Sequence, residues 1–262
     1  MIPRRLDFVA GLAQSCERSG HGLLLVAVGP SRSVAEGTAS VLAAGVDGFV
    51  VYSASGDDPY LQAVLQRRLP LVVVDQPKRV PGASQVGIDD CAAMREMADY
   101  VLGGPPRDRP AHDAAAVRPL QGLVDTNRLH ASTFHVQSER VCGVRQAMAA
   151  AGLDQDALTV VESHEHTPTS GGVAAQIALE ANPRITALMC TADVLAVSAM
   201  DYLSARGKSA PGQMTVTGFD GVPEAMSRGL TTVAQPKPVQ GPTRRRTVTE
   251  RISHSENRGA PD

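Results

Sequence analysis

Three charged residues stand where this sequence changes from one kind of segment to another. Asp75 closes the apolar run Leu71–Val74, Arg140 opens the helical pattern 138–151, and Asp220 follows the apolar run 214–219 and precedes Gly221. A carboxylate at the carboxyl end of a buried strand lies at the mouth of a crevice. There it accepts hydrogen bonds from hydroxyl or amine groups. The planar fork of an arginine clamps two oxygens of a sugar, a carboxylate or a phosphate, and its placement against a helix dipole is a small cost that a binding role justifies. Asp220 opposite Arg140 makes a charged pair that a ligand can bridge. Plainer readings stand beside these: Asp75 caps the turn that follows it, and Arg140 is a surface residue paired with Glu139 or Glu162. Asp193 begins a helix after a strand, where a carboxylate suits the positive end of the dipole.

Other reactive residues form weaker patterns. His164 and His166 share one face of an extended segment, but no convincing third metal ligand accompanies them, so no metal is expected. Ser170-Gly171-Gly172 precedes a helix and reads either as an anion seat on backbone N–H groups or as a plain N-cap with flexible glycines. Cys16, Cys91, Cys142 and Cys190 are scattered without CxxC spacing and read as small buried apolar residues of a reducing cytoplasm. The sequence has no Gly-x-Gly-x-x-Gly, no P-loop and no Gly-x-Ser-x-Gly elbow. Asp75 and Asp220 as an acid/base pair is the one enzymatic option. No catalytic residue and no cofactor is expected.

The elements that must position these residues alternate. Helical periodicity over 7–19 ends at Gly20 and Gly22, and an apolar run over 23–28 reads as a strand buried on both faces. Helix 31–44, strand 48–52, helix 59–68, strand Leu71–Val74 and helix 90–102 follow. After the irregular stretch 103–131, rich in Pro, Arg, Asp and His, come helix 138–151, strand 158–162 and helix 171–181. Strand 185–190, helix 193–206 and strand 214–219 complete the series. Short apolar strands alternating with helices of ten or more residues predict parallel strands joined by crossover helices. Ligands in such sheets bind beyond the carboxyl ends of the strands.

With 43% apolar residues, 20% charged residues and a net charge of -2, the 262-residue chain has the balance of a soluble globular protein. It carries no electrostatic footprint for gripping nucleic acid by itself. There is no apolar run of membrane-spanning length and no signal-peptide h-region, so a cytoplasmic location without membrane contact is expected. From 237 to 262 the pattern collapses into Pro, Arg, Thr, Ser and Asn, read as a disordered tail. Arg244, Arg245 and Arg246 in it are a solvated run rather than a nucleic-acid contact.

Three groups of segments carry a resemblance. The first is Val46-Asp47-Gly48-Phe49-Val50-Val51 with Leu69-Pro70-Leu71-Val72-Val73-Val74-Asp75. The second is Arg140-Val141-Cys142-Gly143-Val144 ahead of Ala149-Ala150-Ala151-Gly152-Leu153. The third, the most specific, joins Cys190-Thr191-Ala192-Asp193-Val194-Leu195-Ala196, Val216-Thr217-Gly218-Phe219-Asp220 and Leu230-Thr231-Thr232-Val233-Ala234-Gln235-Pro236. In order and spacing across some 200 residues, they resemble the effector-binding region of the LacI/GalR family of transcription regulators.

The resemblance implies an α/β fold of two Rossmann-like lobes with parallel sheets, of the periplasmic-binding-protein-like type I. The chain crosses between the lobes three times and the effector sits in the cleft. The lobes would be 1–103, its first strand missing, and 104–236, with 237–262 an aberrant tail. It implies that Asp75, Arg140 and Asp220 hold effector hydroxyls or ring nitrogens, and that Phe8 is an aromatic platform, although Phe8 also reads as a core residue. Asp193 joins the effector-binding set. At the position before it, where some members carry a polar ligand-binding residue, this chain has Ala192. The implied partners are a sugar or nucleoside-like effector, a second copy in a homodimer, and DNA only through a helix-turn-helix headpiece. A sensor of this kind changes lobe closure or dimer geometry when the effector enters. Met1 falls almost directly before the first lobe helix, and Pro238 and Pro242 interrupt the segment after Gln235-Pro236. These departures are read as a truncated, frame-shifted product without the headpiece and unable to bind DNA alone. A solute-binding protein of a transporter shares the two-lobe fold and is the alternative reading.

Overall fold

The structure, a computed structural model, describes residues 3–26, 28, 33–103, 122–163 and 167–235. His164 and His166, Arg244 to Arg246 and the tail 237–262 lie outside the described residues, as do 104–121 of the irregular stretch.

The first half opens with α1 (Pro3–Arg18) and α2 (Val34–Ala43). Ser33 caps α2 in a reciprocal box: its hydroxyl accepts from Glu36 N at 3.2 Å and the Glu36 carboxylate accepts from Ser33 N at 3.0 Å. β1 (Phe49–Tyr52), α3 (Pro59–Gln66), β2 (Leu71–Val74) and β3 (Ser84–Val86) follow. Asp58 caps α3 through Tyr60 N and Leu61 N, with Pro59 in the first turn where its missing N–H costs nothing. Arg67 reaches back across 23–26 residues to donate to the carbonyls of Val41, Leu42 and Ala44, which closes the end of α2. β1, β2 and β3 form a parallel sheet in that order, with Phe49 opposite Leu71 and Val72 opposite Ser84.

α4 (Asp90–Gly103) precedes β4 (Gly122–Leu123), α5 (Thr126–His130) and α6 (His135–Ala150). Then come β5 (Val161–Glu162), α7 (Ser170–Ala181), β6 (Ala187–Met189), α8 (Asp193–Ala205), β7 (Thr215–Asp220), α9 (Pro223–Ser227) and β8 (Thr231–Ala234). β6, β7 and β8 are parallel, with Leu188 opposite Val216 and Phe219 opposite Val233. β4 and β5 pair antiparallel, a departure from the all-parallel expectation.

Three clusters bury the core. One joins Val41, Leu61, Val64, Leu71 and Val73; a second joins Met94, Met97, Val141, Val144, Met148 and Phe219; the third joins Val161, Ala175, Leu188, Leu195, Leu203 and Val216. The sequence reading places helix 90–102 at the close of the first half. In the fold α4 contributes Met94, Met97 and Ala98 to the same cluster as α6.

Two elements need correction. The run 23–28 is not a strand at its described positions, and Leu24 and Leu25 are 56% and 64% exposed. A strand needs a hydrogen-bonded neighbour as well as apolar residues, and among the described residues β1 is paired on one side only, by β2. The helix carrying Arg140 begins at His135 rather than 138, so Arg140 lies in its second turn and not at its opening.

Candidate functional site

Arg140 is buried at 7% exposure and its charge is matched by Asp90, the first residue of α4, itself 3% exposed. Nε and Nη2 donate to Asp90 Oδ1 at 2.9 and 2.8 Å, and Nη1 donates to the Thr191 carbonyl at 2.6 Å. The guanidinium lies 3.6 Å from the centroid of the Phe219 ring, on the side of β7 that ends at Asp220. A buried cation without a partner is expensive, and this one has a carboxylate, a carbonyl and an aromatic face. Asp90 gains in turn from the N-terminal end of the α4 dipole. Arg140 thus joins α6 to the start of α4 and to the carboxyl end of β6. The plainer pairings do not occur: Glu139 pairs with Lys78, and Glu162 accepts from Arg128 Nε at 2.6 Å.

Asp75 and Asp220 close β2 and β7, and both are half-buried. Their backbones adopt φ of 66° and 140°. Non-glycine residues seldom take positive φ, and such strain concentrates where ligands are held. Asp75 N donates to the Val86 carbonyl at 2.8 Å, and its own carbonyl accepts from Gln85 Nε2 at 3.2 Å. Asp220 Oδ1 accepts from Gln235 Nε2 at 3.1 Å. Gly221 turns the chain with φ of 72°, and a Cβ there would stand 2.8 Å from Ala234 Cα, so only glycine fits.

Asp193 is 0% exposed. Its Oδ2 accepts from Val222 N at 2.8 Å and its Oδ1 from the Thr232 hydroxyl at 2.5 Å, which ties the start of α8 to α9 and β8. Phe8 is half-buried, its ring 4.7 Å from that of Tyr52 at the end of β1. The contacts therefore gather Arg140, Asp90, Thr191 and Phe219 at one point. They link Asp193 to β8 through Thr232 and Asp220 to Gln235 just after β8, and they leave Asp75 after β2 and Phe8 of α1 beside the end of β1.

A second set of polar contacts joins the two halves. Gln76 is buried, and its Oε1 accepts from Val136 N at 3.0 Å, in the first turn of α6. Lys78 pairs with Glu139, and Gly56 N donates to the Thr133 carbonyl at 3.2 Å. Asp90 and Gln76 were missed in the sequence. Asp90 carried a signal, an acidic residue beginning a helix just as Asp193 does; Gln76 carried none.

Of the four cysteines only Cys190 is buried, and Cys142 is exposed, which corrects the expectation that all are buried. Among the described residues no group of three or more His, Cys, Asp or Glu is placed to hold a metal ion, and no helix is long and apolar enough to cross a membrane.

A family model described as a periplasmic binding protein-like domain matches residues 128–261. An HTH-type transcriptional regulator of Mycobacterium tuberculosis is 68% identical over 235 residues, covering 89% of this chain; the chain spans 66% of that relative's length. A solved LacI-family transcriptional regulator from Corynebacterium glutamicum matches with a TM-score of 0.78 at 32% identity, covering 89% of this chain and 69% of that one. The complex of the transcriptional regulator CelR with cellobiose has the same TM-score of 0.78 at 24% identity, covering 97% of this chain and 73% of that one. The class these define is an α/β periplasmic-binding-protein-like domain. Within it, the chain belongs to the LacI family.

Proposed function

We propose that this chain is the small-molecule-sensing part of a LacI-type transcription regulator, a binding module rather than an enzyme, working in the cytoplasm as a homodimer. The observation that carries the reading is the pair of aspartates, Asp75 and Asp220, at the carboxyl ends of β2 and β7, each held at positive φ. Half-buried carboxylates at strand ends suit a polyhydroxylated ligand such as a sugar or the ribose of a nucleoside. Among the described residues, three of the five N–H donors of Arg140 go to Asp90 and Thr191, and the proposal assigns the other two to a ligand oxygen. Phe8 supplies an apolar wall. Asp193, with its carboxylate turned to Val222 and Thr232, acts by holding the loop after β7. The lobes are taken as 1–103 and 104–236, with α4 bridging the junction by packing on α6. Gln76 and Lys78 are the contacts that a change in lobe closure would load. The name of the mycobacterial relative supports a regulator over a transporter's solute-binding protein. Contact with operator DNA belongs to a headpiece.

The test is a thermal-shift screen of the chain against monosaccharides, disaccharides and nucleosides. At about a hundred times Kd a ligand stabilises by about 2.7 kcal/mol, a rise of several degrees in Tm. The rise should vanish in Asp75→Asn and Asp220→Asn, whose own Tm stays near that of the parent. No saturable rise with any of these compounds, or a rise untouched by both substitutions, contradicts the proposal.

A further inference from the structure

Two cysteines meet where α4 crosses α6. Gly143 lies against α4 so closely that a Cβ there would run into the Cys91 carbonyl and stand 2.8 Å from Arg95 N. This approach brings the side chains of Cys91, the residue after Asp90, and Cys142, two residues after Arg140, into hydrogen-bond contact with each other. Cys142 is exposed and its sulfur accepts from Gln146 Nε2 at 3.4 Å, whereas Cys91 is half-buried. Burial, and next the hydrogen bond to Cys142, push the Cys91 thiol up to about 11, so Cys91 stays a protonated donor and first attack falls to the exposed partner.

We propose that Cys91 and Cys142 are a peroxide-sensitive pair that closes to a reversible disulfide, tying α4 to α6 beside the Asp90–Arg140 contact. The Cys142 thiolate attacks one oxygen of hydrogen peroxide and the O–O bond breaks. Sulfenic acid forms on Cys142, and the other oxygen leaves as water, taking up the proton that Cys142 gave up. The Cys91 sulfur then attacks the Cys142 sulfur; the S–S bond forms, the S–O bond breaks, and the hydroxide leaves as water with the Cys91 proton. Two thiols lose two electrons in total, and one peroxide is reduced to two waters. This proposal goes beyond effector sensing and stands or falls separately from it.

The test treats the whole reduced chain with equimolar hydrogen peroxide, alkylates the remaining thiols and maps peptides without reduction. The expected product is a linked pair of peptides carrying Cys91 and Cys142 within one chain, abolished by dithiothreitol. It should be absent from Cys142→Ser, in which Cys91 stays alkylatable, while buried Cys190 stays a thiol throughout. Cys91 left free beside a sulfinic or intermolecularly linked Cys142, or both thiols left intact, overturns the proposal.

Discussion

Asp193 illustrates how much a single carboxylate holds in place. It sits at the start of α8, accepts from the Val222 N–H and the Thr232 hydroxyl, and leaves no room for a side chain at Gly218, whose Cβ would meet Asp193 Oδ1. Asp193→Ala strands two part-buried donors, the Val222 N–H and the Thr232 hydroxyl. The expected loss is about 2–4 kcal/mol, read as a fall in the urea midpoint with an unchanged m-value. A loss below about 0.5 kcal/mol would mean that the site relaxes around the gap. The acidic start of α8 was legible because strand and helix patterns meet there. Its partners, 29 and 39 residues further on, were not, since local periodicity says nothing about which side chains meet across a fold. Arg140 teaches the same lesson. Its type and place near a helix start marked it, but Asp90, 50 residues earlier, could be found only in three dimensions.

At the scale of elements, small residues decide how closely helices approach. Gly143 against α4 and Gly171 against α8 have no space for a Cβ, the latter only 2.7 Å from Leu195 Cα. Gly143→Ala should push α4 from α6 and cost about 1–3 kcal/mol in chemical denaturation. Gly45→Ala, with nothing within 4 Å of its added Cβ, should change stability by less than about 0.5 kcal/mol. Equal effects of the two substitutions would contradict this account of the packing. The apolar run Leu71–Val74 was readable as a strand and is buried along its whole length. The similar run 23–28 was misread, because apolar content reports a wish for burial and not the presence of a neighbouring strand. β3, with Ser84 and Gln85 among its three residues, escaped notice for the converse reason: it pairs with β2 through its backbone and has little apolar content to betray it.

Over the whole molecule, two parallel sheets bring Asp75 and Asp220 to equivalent strand ends in the two halves. The alternation of strands and helices was enough to predict that architecture. The polar contacts joining the halves, Gln76 to Val136 and Lys78 to Glu139, span some 60 residues and had no sequence signature. Under the proposed function, those contacts would make ligand binding a matter of both halves at once. The most direct test is hydrogen-exchange mass spectrometry of the chain with and without the compound that most raises its Tm. Exchange should slow after β2 around 75–79, in the first two turns of α6, and around 220–222 and 235. Slowing confined to other segments, such as α1 and α2, or no slowing at saturation, would contradict a binding site at these strand ends.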